Sequence, residues 1–227
     1  MAFDELSGDR DVRIVVLASE GPSFSAGADL DWMRRAATFS EDENLRDARA
    51  LAAMLRCIAE CPHPVVARVQ GSALGGGAGL VAVADIAIVA ESATFGFTEV
   101  RLGLVPATIA PHVVEKIGQG RALPLFLTGE RFDAAHALAI GLVYGVAADH
   151  ELDSAVEKVV ETLLLGGPRA QSRCKRLVRM VSGRSGVEVD EDTAQMIAEV
   201  RAAAEGREGV RAFLERRKPN WASTPDG

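Results

Sequence analysis

Long apolar runs are what this 227-residue sequence most plainly lacks. No stretch approaches the roughly 18 consecutive apolar residues of a membrane span, so no membrane partner is expected. Met1-Ala2-Phe3-Asp4-Glu5 has no basic region followed by an apolar stretch, so we expect no signal peptide and a cytoplasmic location. Cysteine is scarce. Cys57, Cys61 and Cys174 are too few and too irregular for a disulfide framework. Cys57 and Cys61 share a helical face at i and i+4, and no Cys/His pair completes a zinc set, so reduced thiols are expected. His63, His112, His136 and His150 are scattered without metal-like spacing, and each is read as structural. Positive charge is also short: 25 Lys and Arg stand against 32 Asp and Glu, a net charge of −7. That balance argues against nucleic acid as a partner, but leaves room for a small anionic ligand held by local groups. No repeat or low-complexity segment stands out, apart from a polar end at residues 223–227 that is expected to fray.

What is present reads as a globular protein, either one large domain or a domain with a helical extension. Hydrophobic residues make up 48% of the chain and charged residues 25%. The β-branched run at residues 13–18 predicts a buried strand. Ser40-x-x-Glu43 is a capping-box pattern, and Leu45, Ala48, Leu51, Ala52, Leu55 and Ile58 set an apolar stripe at helical spacing as far as Glu60. Pro62 and Pro64 end that helix. Further strands are expected at 65–69, 86–89 and 94–97, with a helix over 78–83 between the first two. Beyond residue 110 the text turns helical, with helices over 113–117, 121–127, 133–140 and 149–165. Another starts at Pro168, and a long one over 190–217 is interrupted at Gly206 and Gly209. Strand–helix alternation in the first half implies an α/β core with crossovers.

Three segments can carry chemistry. In Ser23-Phe24-Ser25-Ala26-Gly27-Ala28-Asp29-Leu30, small residues let a ligand approach the main chain, and Asp29 can cap the following helix. The plainer reading is a tight strand-to-helix connection. In residues 71–79, three consecutive glycines at a helix start leave backbone N–H groups unshielded and aligned with the helix dipole, which suits an anionic oxygen. The plainer reading there is close packing on glycine. In residues 95–106, Glu99 lies among apolar neighbours, where desolvation would raise its pKa towards that of a proton shuttle. Its plainer alternative is an ion pair with Arg101 or another basic group.

Taken together and in this order, the segments resemble the crotonase superfamily, that is, the enoyl-CoA hydratase/isomerase family. The matching pieces are Phe24-Ser25-Ala26-Gly27-Ala28-Asp29-Leu30, then residues 71–79 with Ala84-Asp85-Ile86. Ala93-Thr94-Phe95-Gly96 with Glu99-Val100-Arg101-Leu102-Gly103 follows, and then Leu127-Thr128-Gly129-Glu130-Arg131-Phe132. The resemblance covers nearly the whole chain. It implies an α/β fold with a crotonase-like spiral core of repeated ββα units over residues 1–148. A C-terminal helical trimerisation region over 149–227 would follow, in a homotrimer or a hexamer made as a dimer of trimers. It also implies an acyl-coenzyme A thioester as substrate, with no tightly bound cofactor and no metal. The family's oxyanion hole falls on the N–H groups of Ala28 and Gly76. Ser25, Ala26, Gly27, Asp29, Leu30, Gly75, Gly77, Gly79 and Pro106 would line the substrate and its CoA. Of the two glutamates used by the family's hydratases, the second matches Glu99, while the place of the first holds Gly79.

Locally, Ala28-Asp29-Leu30-Asp31-Trp32-Met33, residues 75–80, residues 106–114 and Arg216-Arg217-Lys218-Pro219-Asn220-Trp221 look like bacterial methylglutaconyl-CoA hydratases, which also tend to carry glycine at that place. This favours a hydro-lyase adding water syn to a branched or carboxylated 2-enoyl-CoA, such as 3-methylglutaconyl-CoA. A Δ3-Δ2 isomerase with Glu99 as its single proton shuttle is the alternative. His112 or an arginine could meet an extra substrate carboxylate, though a structural role is the simpler expectation for His112. Family members usually carry a further strand-turn-strand and helix before the segment matching residues 12–17. The first ββα unit is therefore expected to be shortened, and a catalytically silent paralogue stands as an alternative. Two other classes remain: Gly77-x-Gly79-x-x-Ala82 formally matches a dinucleotide fingerprint, but the strand before it is expected to end near Val69, too early for that turn. An RNA-associated scaffold is disfavoured by the acidic charge.

Overall fold

The structure, a computed structural model, describes residues 2–222. The first half of the chain runs through α1 (Ala2–Gly8), β1 (Val15–Leu17), α2 (Leu30–Ala36), α3 (Glu41–Glu60), β2 (Val65–Val69), β3 (Ser72–Leu74), α4 (Gly76–Val83), β4 (Ile86–Ala90) and β5 (Thr94–Gly96). A 3-10 turn at Thr98–Leu102 leads to α5 (Ala110–Ile117), α6 (Gln119–Thr128), β6 (Arg131–Asp133), α7 (Ala134–Ala139) and β7 (Gly145–Ala147). After it come α8 (Leu152–Leu164), α9 (Pro168–Val181), α10 (Val187–Ala202) and α11 (Ala204–Leu214). The polar end at 223–227 lies outside the described residues.

The β-branched runs build one parallel sheet in the order β1-β2-β4-β7. Val15 pairs with Val65, Val66 with Ile86, and Ile88 with Gly145. Val65, Val66, Ala67 and Val69 of the second strand are wholly buried. A parallel strand covered on both faces reads as a continuous apolar run, which is why its span was visible in the sequence. A second sheet, β3-β5-β6, is smaller. There β3 and β5 run parallel, and β6 returns antiparallel with Phe132 opposite Phe95. Phe95 and Phe97, both fully buried, pack with Phe126 and Phe132 at ring separations of 5.1–6.0 Å.

The capping box predicted at Ser40 is present. The Glu43 carboxylate accepts from Ser40 N at 2.8 Å, and Ser40 Oγ accepts from Glu43 N at 3.3 Å. Two expectations need correction. The break in the last long helix falls at Ala203, and Gly206 and Gly209 lie inside α11. Their role is close approach: a Cβ on Gly206 would stand 2.2 Å from the Val200 carbonyl oxygen, and one on Gly209 3.0 Å from the Trp221 ring. The helical region expected to start at residue 149 does not begin there as a separate layer. Helix α8 packs on β2 and β4, burying Leu152 and Val156 in the core. Only α9 to α11 stand beyond it.

Candidate active site

The site grows from one short parallel pairing. Ser25 bridges to Ala73, its N–H donating to the Ser72 carbonyl at 2.9 Å while its own carbonyl accepts from Leu74 N at 2.9 Å. Three residues past each bridged position the chain reaches Ala28 and Gly76. Both follow a glycine in the positive-φ region, Gly27 at +110° and Gly75 at +53°. Those turns lift the chain out of the pairing. Gly76 is the first residue of α4, where an N–H has no intrahelical acceptor. Neither Ala28 N nor Gly76 N donates to an acceptor among the described residues. The space above Gly76 is open, with no atom within 4 Å of where a Cβ would stand.

Glu99 arrives from the other side of this pair. It follows β5 through the buried anchor Phe97 and sits in the 3-10 turn, which Gly103 closes at φ +73°. Its Oε1 lies 3.1 Å from where a Cβ on Gly75 would be, so residue 75 must be glycine for room as well as for conformation. Its Oε2 is buried without a hydrogen-bond partner among the described residues. Burial pushes the carboxyl above the usual glutamate range, opposed only by the backbone N–H of Glu99 itself. The pairing with Arg101 that the sequence left open is absent. The stem of Arg101 instead lies over Gly129, where Cγ is 3.2 Å from a notional Cβ.

Other candidate residues divide by what they touch. Asp29 caps α2, accepting from Trp32 N at 2.7 Å, while Ala26 and Leu30 are exposed beside it. Pro106 is buried, and its carbonyl accepts from Ala110 N at 2.9 Å to start α5. Gly77 and Gly79 are packing positions. A Cβ on Gly77 would meet Ser25 Cβ at 2.6 Å, and one on Gly79 would meet Ile109 Cγ2 at 2.3 Å. The strand over 65–69 ends at Val69 as expected, and a further short strand, β3, runs to Leu74 just ahead of these glycines. What disfavours a dinucleotide is that both fingerprint glycines are filled by protein, leaving no backbone for a pyrophosphate to approach.

Sequence reasoning missed Ile109 and Lys116. Lys116 Nζ donates to the Ala84 carbonyl and, at 3.5 Å, to that of Val81, closing the C-terminal end of α4. Burial lowers its pKa to about 8, against the attraction of Asp85 and Glu115. No spacing rule links positions 79 and 109, or 84 and 116, so no local signal could have found either contact. No group of three or more metal-ligating side chains occurs among the described residues. Among the described residues no helix is long and apolar enough to cross a membrane.

The sequence model of the enoyl-CoA hydratase/isomerase family matches residues 1–224. A solved enoyl-CoA hydratase from Shewanella pealeana is 38% identical, covering 97% of this chain and 83% of its own, with a TM-score of 0.93. AtuE of Pseudomonas aeruginosa is also 38% identical, over 98% of this chain and 86% of that one, with a TM-score of 0.94. A Thermus thermophilus protein, provisionally described as an enoyl-CoA hydratase, is 34% identical over 220 residues, which is 97% of this chain and 87% of the relative.

Proposed function

The chain belongs to the enoyl-CoA hydratase/isomerase family, and from that premise we propose that it adds water to a 2-enoyl-CoA with Glu99 as its only acid/base group. The observation that carries the reading is the placement of Glu99. A desolvated carboxylate, its Oε2 without a hydrogen-bond partner among the described residues, stands against the Gly75 turn that leads to the free amide of Gly76. The N–H groups of Ala28 and Gly76 hold the thioester oxygen. As water attacks C3, Glu99 takes its proton, and the electron pair of the double bond moves through C2 to the thioester oxygen, giving an enolate. The Glu99 carboxyl then returns the proton to C2. Aligned donors of this kind are each worth about 2.7–4 kcal/mol at the transition state. The apolar stretch after the turn, with Leu102, Leu104 and Val105 exposed, supports an acyl chain as the ligand. We infer a branched or carboxylated substrate such as 3-methylglutaconyl-CoA from the sequence resemblance.

A second reading, Δ3-Δ2 isomerisation, is favoured by the apolar Ile109 against Gly79, since moving a double bond needs one base and no held water. Incubation with a panel of enoyl-CoAs that includes 3-methylglutaconyl-CoA, followed by mass analysis, separates the two. Gain of one water supports the hydratase, and an unchanged mass with a shifted double bond supports the isomerase. No turnover of any member overturns both and leaves the silent paralogue. Assembly as a homotrimer or a dimer of trimers is part of this proposal, as is a cytoplasmic location. Exposed Val210, Phe213 and Leu214 on α11 support assembly, and light scattering tests it.

A further inference from the structure

Gly75 caps the start of α4 at φ +53° and ψ −119°, and Gly79 lies inside the helix, the two joined by the bond from Gly79 N to the Gly75 carbonyl at 3.1 Å. Against the first stands the Glu99 carboxylate, and against the second stands Ile109. The atoms of Ile109 nearest a notional Cβ on residue 79 are Cγ2 at 2.3 Å and Cβ at 2.9 Å, so the branch point itself fills the space, and not the flexible tip of the side chain. Ile109 is 1% exposed. Its backbone is fixed as well, because its carbonyl accepts from His112 N at 3.1 Å and from Val113 N at 3.0 Å at the start of α5. Glu99 and Ile109 therefore stand over two glycines that one hydrogen bond joins.

We propose that Ile109 is a specificity-determining residue that closes the second acid/base position on α4 and gives Glu99 an apolar neighbour, so that a single carboxylate handles the proton. This rests on the reading of Glu99 as the proton shuttle. Substituting glycine at 79 with a glutamate would not by itself supply a second carboxylate, because Ile109 occupies its path. An apolar side chain at position 109 also offers no polar group that would stabilise the ionised form of Glu99.

Two measurements test the two halves, and neither needs turnover for its primary reading. A carbon-NMR titration of the Glu99 carboxyl compares the wild type with Ile109→Val and Ile109→Thr. Valine keeps the branch and the apolar surface, and its midpoint should stay with the wild type. Threonine keeps the branch but places a hydroxyl there, and its midpoint should move to lower pH, with the acid limb of kcat/KM following. An unmoved midpoint in Ile109→Thr overturns the electrostatic half, since a merely structural Ile109 would change stability alone. For the closure, Gly79→Glu should melt well below Gly79→Glu/Ile109→Ala, because truncation opens the space. The double variant should also hydrate crotonyl-CoA at least about 100-fold faster than the single variant, the low end of what a general acid/base group supplies. Equal melting and equal rates in the two overturn the closure. Failure of the wild type on every enoyl-CoA would instead overturn the proposed function, leaving the titration and melting results to stand or fall on their own.

Discussion

The Glu99 carboxylate sets activity against stability. Its pKa is raised by desolvation in the folded chain, so the unfolded chain gives up the proton first as pH rises. Ionised Glu99 therefore destabilises the fold, and the penalty grows as pH passes from the ordinary glutamate value up through the folded one. Glu99→Gln should melt at a higher temperature than the wild type at neutral pH, with the difference shrinking in acid. The same variant should lose about 100–10,000-fold in turnover while still binding CoA esters, measured by steady-state kinetics and calorimetry. Because the base form starts the reaction, kcat/KM of the wild type should rise with pH through that raised value. Glu99 was legible in the sequence from its apolar neighbours Phe97 and Leu102. Ile109 was not, since it is recognised only by the side chain that Gly79 lacks.

At the scale of elements, legibility followed length and cap chemistry. The helix at Glu41–Glu60 carried its box and its stripe, and β2 its unbroken apolar run. Of the three-residue strands, β1 was marked by its run of β-branched residues and β5 by its phenylalanines, whereas β3, β6 and β7 carry no such run and were missed. Ser40→Ala removes the box and should lower stability by about 1 kcal/mol, measured by denaturant unfolding. Lys116 caps the far end of α4, the helix that begins at Gly76. Its folded pKa of about 8 lies below the ordinary 10.5. Below pH 8 both states hold the proton. Between about 8 and 10.5 only the unfolded chain does, so stability rises with pH there. Compared with Lys116→Met, the wild type should gain melting temperature across that window, and a flat difference would sink the assignment.

For the molecule as a whole, the α/β half and the helical half were legible, but the seam between them was not. Nothing in the amphipathic pattern of α8 tells the underside of its own sheet from another surface, and only the packing assigns it to the core. The outer helices are fastened by charge. Glu208, nearly buried, accepts from Arg217 at 2.6 and 3.0 Å and from Asn220 N at 3.3 Å, which holds its pKa at about 2. That stabilisation is complete above about pH 4.5 and is lost as pH falls towards 2. The melting difference between the wild type and Glu208→Gln should therefore close over this range, followed by circular dichroism.

Arg13, two residues before β1, donates to the carbonyls of Gly166 at 2.8 Å and Trp221 at 3.1 Å. The second partner is 208 residues further along. At about 5–20 residues per second, a ribosome needs on the order of ten to forty seconds to deliver it. Throughout that interval β1, an edge of the main sheet, has emerged without the group that pins its leading segment. Stalled or prematurely released chains are thus the forms most exposed to edge-to-edge association, and a chaperone that holds the nascent strand would act before residue 221 is made.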